Sequence, residues 1–254
     1  MIKSINFLSI KKIKETVNFS LGTIIFFIQP MLWLIIFLFI KQQNHLVTLS
    51  HGKIRYVDFL VLGIFAWRMI AELMRSISYS ISPEKQALRA IVTKPNGVKI
   101  LFFSSLSASW VTGILIGAAI LIAGKILFDF QTHIGSLILV LFILLLLFIS
   151  HSGIAFIFLA LTTINRGFTN VRYLLTTIFA LFSGVFYPVA LYPAPFNQLA
   201  YVLPFTQGLE LLQETMLFNR ISVNYTLLFT LIIESILLIV IGYLLYKKRI
   251  KKFI

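Results

Sequence analysis

Long apolar runs separated by short polar and basic segments constrain this 254-residue chain more than any other feature. Hydrophobic residues make up 59% of the chain, charged residues make up only 12%, and the mean hydropathy is +0.97. A bilayer core about 30 Å thick needs about 20 apolar residues in a helix, because unpaired backbone groups are not tolerated there. The pattern therefore predicts an integral membrane protein with helical spans, and it does not fit a soluble domain.

Six apolar runs are predicted as transmembrane helices. They cover residues 21–40, 57–76, 98–124, 137–163, 173–187 and 223–246. The first run is too long for a signal-peptide core and no small-residue cleavage site follows it, so we expect an uncleaved span. The six runs use the apolar segments of the chain, apart from the Pro-rich stretch treated below. Residues 1–254 are therefore predicted to form a single all-α transmembrane domain.

Basic residues lie mainly on one side of this layout. Five of the 22 fall on the other side and Arg68 lies inside the second run, which leaves sixteen: Lys3, Lys11, Lys12, Lys14, Arg75, Lys85, Arg89, Lys94, Lys99, Arg166, Arg172, Lys247, Lys248, Arg249, Lys251 and Lys252. Cytoplasmic loops are enriched in Lys and Arg, so both termini are predicted to be cytoplasmic. The net charge of +14 is then explained by topology and by anionic lipid, not by nucleic acid.

The N-terminal residues 1–18 combine apolar and basic residues. A helix here would be amphipathic and would lie on the cytoplasmic membrane interface, although Lys12 interrupts its apolar face. The alternative is a basic flank that only orients the first span.

A Pro-rich stretch, Gly184 to Glu214, interrupts the helical pattern before the last run. It contains Pro188, Pro193, Pro195 and Pro204. Because proline removes a backbone donor and clashes with the preceding turn, the fifth helix is predicted to end near Tyr187. The apolar pieces 196–203 and 205–218 are each too short to cross a bilayer. Residues 188–218 are therefore predicted to enter the membrane from outside and return, with protein around their backbone.

This stretch reads SGVFYPVALYP and then LAYVLPFTQGLELL. The order of glycine, Tyr-Pro, a second proline and Leu-Pro-Phe-Thr resembles the late signature of type 2 ABC transporter permeases, and the layout is similar over nearly the whole chain. The competing interpretation is a Pro-rich external loop. In the family reading, the external gate or re-entrant segment contains Tyr187, Pro188, Tyr192, Pro193, Pro204 and Phe205.

The resemblance also implies the partners and the location of the chain. Such a permease is expected in the prokaryotic plasma membrane, in contact with lipid, as a homodimer that binds a cytoplasmic ABC ATPase. It would export a substrate, and residues 1–18 would form an elbow helix before the first span. The substrate is predicted to be hydrophobic or amphipathic (a drug, a lipid, a lipid-linked glycan or a peptide), because aromatic residues are abundant.

Nucleotide chemistry is not predicted in this chain. The nearest string to a phosphate loop, GAAILIAGKI at 117–126, has the wrong glycine spacing and no Ser or Thr after its lysine. The chain has no cysteine and no HExxH or GxSxG motif, and a metal site is not predicted. ATP and Mg²⁺ are therefore expected on the partner subunit, with no cofactor here. The alternatives from another class are a multi-span membrane enzyme and an ion-coupled carrier.

The first cytoplasmic loop is the candidate docking surface for the ATPase. Ser82-Pro83-Glu84 is a favourable helix start, and Lys94-Pro95-Asn96-Gly97 is a stop. The segment resembles the family's coupling helix, although Lys85-Gln86-Ala87 departs from the usual pattern. A loop helix on the lipid surface is the alternative. The candidate coupling residues are Pro83, Glu84, Leu88, Arg89, Ile91 and Val92.

Ionisable residues inside spans are costly and become candidates for function. Arg68, Glu72 and Arg75 share one helical face, so Glu72 can pair with either arginine, and a structural clamp is favoured over a substrate site. His151 is expected to make an inter-helix hydrogen bond rather than to bind a ligand. Glu234 lies near the middle of the last span, either protonated or bonded to another helix.

Overall fold

The computed structural model describes residues 8–10, 32, 35, 46–49, 52–78, 92–93, 95–132, 136–165, 167–218 and 224–253. Most of the predicted interface helix at 1–18, nearly all of the first span at 21–40 and most of the coupling helix at 82–92 lie outside these residues. In the N-terminal part, Leu8–Ile10 are helical and the Ser9 hydroxyl donates a 3.3 Å hydrogen bond to the Ser104 carbonyl.

Seven helices and two strands make up the described part of the chain. The strands are β1 (Leu46–Leu49) and β2 (Gly52–Arg55). The helices are α1 (Tyr56–Ser78), α2 (Gly97–Phe128), α3 (Leu137–Thr162), α4 (Phe168–Phe182), α5 (Phe196–Ala200), α6 (Pro204–Leu217) and α7 (Tyr225–Phe253). A 3-10 turn, Val189–Leu191, lies between α4 and α5.

The two strands form an antiparallel hairpin, which the all-α prediction missed. Leu46 lies opposite Arg55 and Leu49 lies opposite Gly52. β-branched residues such as Val47 and Ile54 favour extended backbone, and Gly52 takes a φ of +146°, a value that side chains disfavour. The fold class is therefore a helical membrane domain with one small hairpin in the loop before α1.

Helix α1 is the centre of the described fold and is buried along almost its whole length. The helix α2 approaches it through glycines. The ideal Cβ of Gly117 would lie 2.8 Å from the Phe65 ring, and that of Gly113 would lie 3.1 Å from the Met69 carbonyl oxygen. Close approach of this kind increases dispersion contacts, which lipid-embedded helices need because lipid tails are as apolar as their side chains.

Helices α3 and α7 cross at a second pair of glycines. A Cβ on Gly153 would lie 2.4 Å from the Leu238 carbonyl carbon, and a Cβ on Gly242 would lie 2.5 Å from the Gly153 carbonyl oxygen. Only hydrogen fits at either position, so this crossing fixes the last helix against the bundle.

Three helices of the described part are long and apolar enough to cross a membrane: Gly97–Phe128, Leu137–Thr162 and Tyr225–Ile250. Helix α1 has 23 residues and is about 34 Å long at 1.5 Å per residue. It is also more polar, since it carries Asp58, Arg68, Glu72 and Arg75. A shorter apolar helix covers Asn170–Phe182. The predicted count of six spans therefore stays a prediction.

The fifth predicted span is displaced in the structure. It was predicted over 173–187, but α4 covers Phe168–Phe182. The helix ends early because Gly184 takes a φ of +82°, a left-handed value that stops α-helical geometry well before Pro188. The helix also begins earlier than predicted, at Phe168. Arg172, which was assigned to the preceding loop, therefore lies within the helix.

Candidate functional site

The segment between α4 and α6 replaces helical hydrogen bonds with specific side-chain bonds. Tyr56 at the start of α1 donates a 3.0 Å hydrogen bond from its hydroxyl to the Phe186 carbonyl. The Tyr192 hydroxyl donates to the Leu181 carbonyl at 2.8 Å. The Tyr192 bond satisfies a backbone oxygen that the end of α4 leaves without a helical partner, and the Tyr56 bond holds the segment against α1.

Two short helices follow, as the proline spacing indicated. Helix α5 has five residues and α6 has 14. At 1.5 Å per residue α6 is about 21 Å long, too short for a hydrocarbon core of about 30 Å. Pro204 occupies its first turn, where a missing N–H costs little, and nearly all of α6 is buried. Depth in the membrane stays a prediction, but α6 is enclosed by protein, with Gly208 against the Leu147 side chain.

The predicted gate residues occupy two environments. Pro188, Pro204 and Phe205 are buried, Tyr187 and Tyr192 are half-buried, and Pro193 is exposed. An apolar groove of about 210 Å³ lies beside them; it is lined by Leu181, Phe182, Tyr192, Pro193 and Phe196. The predicted external segment therefore contributes both a buried anchor and an open apolar surface.

A glutamine of α6 binds the carboxyl group in the last helix. The Gln207 amide donates to Glu234 Oε1 at 3.1 Å and to the Tyr201 carbonyl at 2.8 Å. The Thr230 hydroxyl donates to Gln207 Oε1 at 3.0 Å. The structure shows the bond to another helix that was one possibility for Glu234, and its Oε2 has no hydrogen-bond partner among the described residues. This contact ties α6 to α7, and Gln207 was missed because only ionisable residues were considered.

His151 lies at the junction of α3, α4 and α6 and is fully buried. Its Nδ1 is 2.8 Å from the Leu147 carbonyl and 3.0 Å from the Ser150 hydroxyl, both on its own helix. Across helices the imidazole meets the edges of Phe179 and Phe205, at ring-centroid distances of 6.1 and 5.7 Å. Within the described residues its hydrogen bonds are therefore local, and its contacts with other helices are aromatic packing.

On the charged face of α1, Glu72 and Arg75 form a close ion pair. Both Glu72 carboxylate oxygens accept hydrogen bonds from Arg75 at 2.7 Å, and Glu72 is fully buried. Arg68 is also buried, with its guanidinium 5.7 Å from the Trp67 ring centroid. Of the two arginines available to Glu72, Arg75 provides the bidentate contact, the geometry that makes such pairs strong.

A further buried arginine lies near this pair. Arg172 of α4 is 2% exposed and donates from Nη1 to the Met74 carbonyl of α1 at 3.0 Å. Its guanidinium lies 4.3 Å from the Tyr173 ring centroid. Because the fifth helix was predicted to start at Tyr173, Arg172 was assigned to the preceding loop and was not considered as a helix contact. The contact joins α4 to the C-terminal end of α1.

The opposite end of α1 carries a separate charged cluster with the hairpin. Arg55 makes a bidentate pair with Asp58 at 2.7 and 2.8 Å and donates to the Asp129 carbonyl at 2.7 Å. Hydrogen bonds from Lys125 and Gln131 hold the pKa of Asp129 below its usual 3.8. The cluster connects β2, the start of α1 and the end of α2.

The predicted coupling helix is described only at its end. Val92 is half-buried and packs against the core. The chain then turns through Pro95 and Asn96, whose φ is 61°, and α2 begins at Gly97. The other five candidate residues, Pro83, Glu84, Leu88, Arg89 and Ile91, lie outside the described residues, and their role stays a prediction.

Comparison with known proteins gives one result for this arrangement. The chain matches the ABC-2 type transporter family over residues 5–217. No curated protein matches it. The matched range covers most of the chain and ends with α6, so it includes the Pro-rich segment. The predicted kinship with type 2 ABC permeases is confirmed: the chain belongs to the ABC-2 type transporter family and is the membrane-spanning subunit of an ABC transporter.

Proposed function

We propose that this chain is one half of an ATP-driven exporter in the prokaryotic plasma membrane, with both termini in the cytoplasm. Two copies form a homodimer, and a cytoplasmic ATPase subunit binds each of them. The family supports a membrane subunit, and the absence of a phosphate-loop motif from the sequence supports ATP hydrolysis on the partner. The placement of sixteen of the 22 basic residues supports the orientation.

The substrate class is inferred from the apolar groove beside α4 and α5. Its five lining residues are Leu181, Phe182, Tyr192, Pro193 and Phe196, and its volume is about 210 Å³. Sites for drug-sized ligands usually measure about 300–1,000 Å³. One copy therefore provides part of such a site, and two copies facing each other would provide enough room. This groove favours a hydrophobic or amphipathic substrate, and it is the observation that carries the proposal.

The route from ATPase to gate follows α1. At one end α1 leads into the segment that contains the proposed coupling helix, and at the other end Tyr56 bonds to the Phe186 carbonyl. Gly63 is packed so closely that its ideal Cβ would lie 2.4 Å from the Val185 carbonyl oxygen. A displacement of α1 therefore pushes directly on the turn between α4 and α5. ATP-driven movement at 82–92 would open or close the groove by this contact.

The coupling step is tested with Leu88→Asp in the chain expressed with its ATPase. A carboxylate at a docking face loses roughly 1.5–3 kcal/mol of apolar transfer and adds a desolvation cost of similar size. We expect loss of ATPase co-purification and of substrate export, with normal membrane insertion. The control is Thr132→Asp, the same new charge on the predicted outer side. Full ATPase binding and export by Leu88→Asp would refute coupling through this loop.

A further inference from the structure

The side chain of Gln207 connects α6 to two other parts of the chain and is 3% exposed. Its amide nitrogen donates to the Tyr201 carbonyl at 2.8 Å and to Glu234 Oε1 at 3.1 Å. Its Oε1 lies 3.0 Å from the Thr230 hydroxyl. Both neighbours of the nitrogen are acceptors, so a rotated amide would place its oxygen against two oxygens. The contacts therefore fix one orientation of this side chain.

The Tyr201 carbonyl belongs to the turn between α5 and α6. Pro204 has no backbone N–H, so it interrupts helical hydrogen bonding between the two helices. The Tyr201 carbonyl accepts the Gln207 side chain, and the Tyr201 hydroxyl is hydrogen-bonded to Glu210. Both partners are residues of α6. The turn that ends α5 is therefore held to α6 by side chains.

Helix α5 has little packing of its own. Ala200 is buried, but Phe196 and Leu199 are 48% and 58% exposed. The Phe196 ring lies 6.1 Å from the Phe182 ring of α4, centroid to centroid, and both line the apolar groove. The position of α5, and with it one wall of the groove, therefore depends on how the ends of its segment are held.

Helix α6 is fixed at a junction of three helices. A Cβ on Gly208 would lie 2.4 Å from the Leu147 side chain, so α6 packs closely on α3. The Ser235 hydroxyl of α7 lies 3.0 Å from the Leu146 carbonyl of α3. The bond from Gln207 to α7 completes the triangle. Helices α3, α6 and α7 therefore form one unit, and Gln207 connects this unit to the end of α5.

The start of the same segment is attached to α1. The Tyr56 hydroxyl donates to the Phe186 carbonyl, and Gly63 packs against the Val185 carbonyl. The segment 183–203 is thus held at one end by α1 and at the other by Gln207. If α1 moves while the far end is fixed, the segment must change shape. If the far end were free, the segment would be carried along with α1.

We propose that Gln207 is a positioning residue that anchors the turn after α5 to α6 and α7, so that a displacement of α1 deforms the groove. The consequence for transport rests on the proposed function, whereas the anchoring of α5 does not.

The anchor is tested by hydrogen–deuterium exchange and mass spectrometry on the full chain in nanodiscs, without ATPase. Gln207→Met has a similar length and cannot make the hydrogen bonds. Loss of the neutral bond to the Tyr201 carbonyl should accelerate exchange at 196–203 about two- to tenfold, with α3 and α7 unchanged. Gln213→Met is the matched control. Gln213 is a second buried glutamine of α6, and its Nε2 has no hydrogen-bond partner among the described residues, so exchange at 196–203 should equal wild type.

Thr230→Val is a second variant in case Gln207→Met does not fold. It removes the hydroxyl that meets Gln207 Oε1 and leaves α6 unchanged, so a smaller acceleration is expected at 196–203. Wild-type exchange there in both variants would overturn the anchor. Equal acceleration throughout α3 and α7 would also overturn it, because that result indicates general destabilisation.

A second measurement adds the ATPase, trapped with MgADP and vanadate. Exchange at 189–194 should change in wild type and should not change in Gln207→Met. The same change in both chains would contradict the role of Gln207 in deforming the groove. A wild-type chain that shows no change would contradict the proposed coupling to the ATPase, and the measurement on the chain alone would still decide the anchor.

Discussion

The crossing of α3 and α7 at Gly153 makes a quantitative prediction about stability. In Gly153→Ala the new Cβ would lie 2.4 Å from the Leu238 carbonyl carbon and 2.6 Å from the Ile239 nitrogen. Ordinary contacts begin near 3.4 Å, so the two helices must separate by about 1 Å. The neighbours are backbone atoms, and they cannot move aside without moving α7.

The expected cost follows from these distances. Overpacking costs about 1–3 kcal/mol, and a clash with backbone lies toward the upper end of that range. Replacing glycine by alanine in a helix returns about 1 kcal/mol of helix propensity. The net loss is therefore about 2 kcal/mol. At roughly 2–4 °C per kcal/mol for a domain of this size, the unfolding midpoint should fall by about 4–8 °C.

The assay compares apparent thermal midpoints of purified variants at one heating rate, because membrane proteins often unfold irreversibly. The matched control is Gly117→Ala, which has the same propensity gain but meets side-chain atoms, the Phe65 ring at 2.8 Å and Met69 Sδ at 3.2 Å, rather than backbone. Its midpoint should stay within about 2 °C of wild type, since its clash is offset by propensity. Equal midpoints for the two variants would refute the crossing at Gly153.

Three further predictions concern topology, the last helix and the C-terminal end of α2. Single cysteines at Ala194 and Thr93, in a chain with no cysteine of its own, should react with impermeant reagents only from outside and only from inside, respectively; reversed labelling would overturn the orientation. Glu234→Gln can still bond to Gln207, so export should be unchanged across pH; loss of export would instead favour an ion-coupled carrier. The lowered pKa of Asp129 means that its stabilising contribution is complete above the usual pKa of 3.8 and is lost as the pH falls further. Thermal midpoints of wild type and Asp129→Asn should therefore differ at neutral pH and converge in acid; a constant difference would contradict the charged contacts.

Hydrophobic run length was the reliable sequence signal. The runs 57–76, 98–124 and 137–163 correspond closely to α1, α2 and α3, because a long apolar segment has few other ways to bury its surface and pair its backbone. The proline spacing likewise divided the stretch after α4 into two short apolar pieces, 196–203 and 205–218, and the structure has short helices there, Phe196–Ala200 and Pro204–Leu217. Proline acts locally on the backbone, so this signal needed no knowledge of the tertiary contacts.

The misses involve short or neutral features. The hairpin strands have four residues each, below the length at which hydrophobic runs are informative, although Gly52 and the β-branched Val47 and Ile54 were visible. The end of α4 depends on the left-handed Gly184 rather than on the nearest proline. Gln207 is uncharged, and only the packing of α6 against α7 shows that it binds Glu234. Such contacts between distant segments are not encoded in local patterns.

The most direct test of the central claim is ATP hydrolysis by proteoliposomes that contain either this chain alone or this chain with its proposed cytoplasmic ATPase partner. The account predicts Mg²⁺-dependent hydrolysis coupled to substrate movement only when the partner is present, because the sequence has no phosphate loop. The Leu88→Asp chain with the same partner should show neither partner binding nor substrate movement. Robust Mg²⁺-dependent ATP turnover by the purified chain alone would contradict the account.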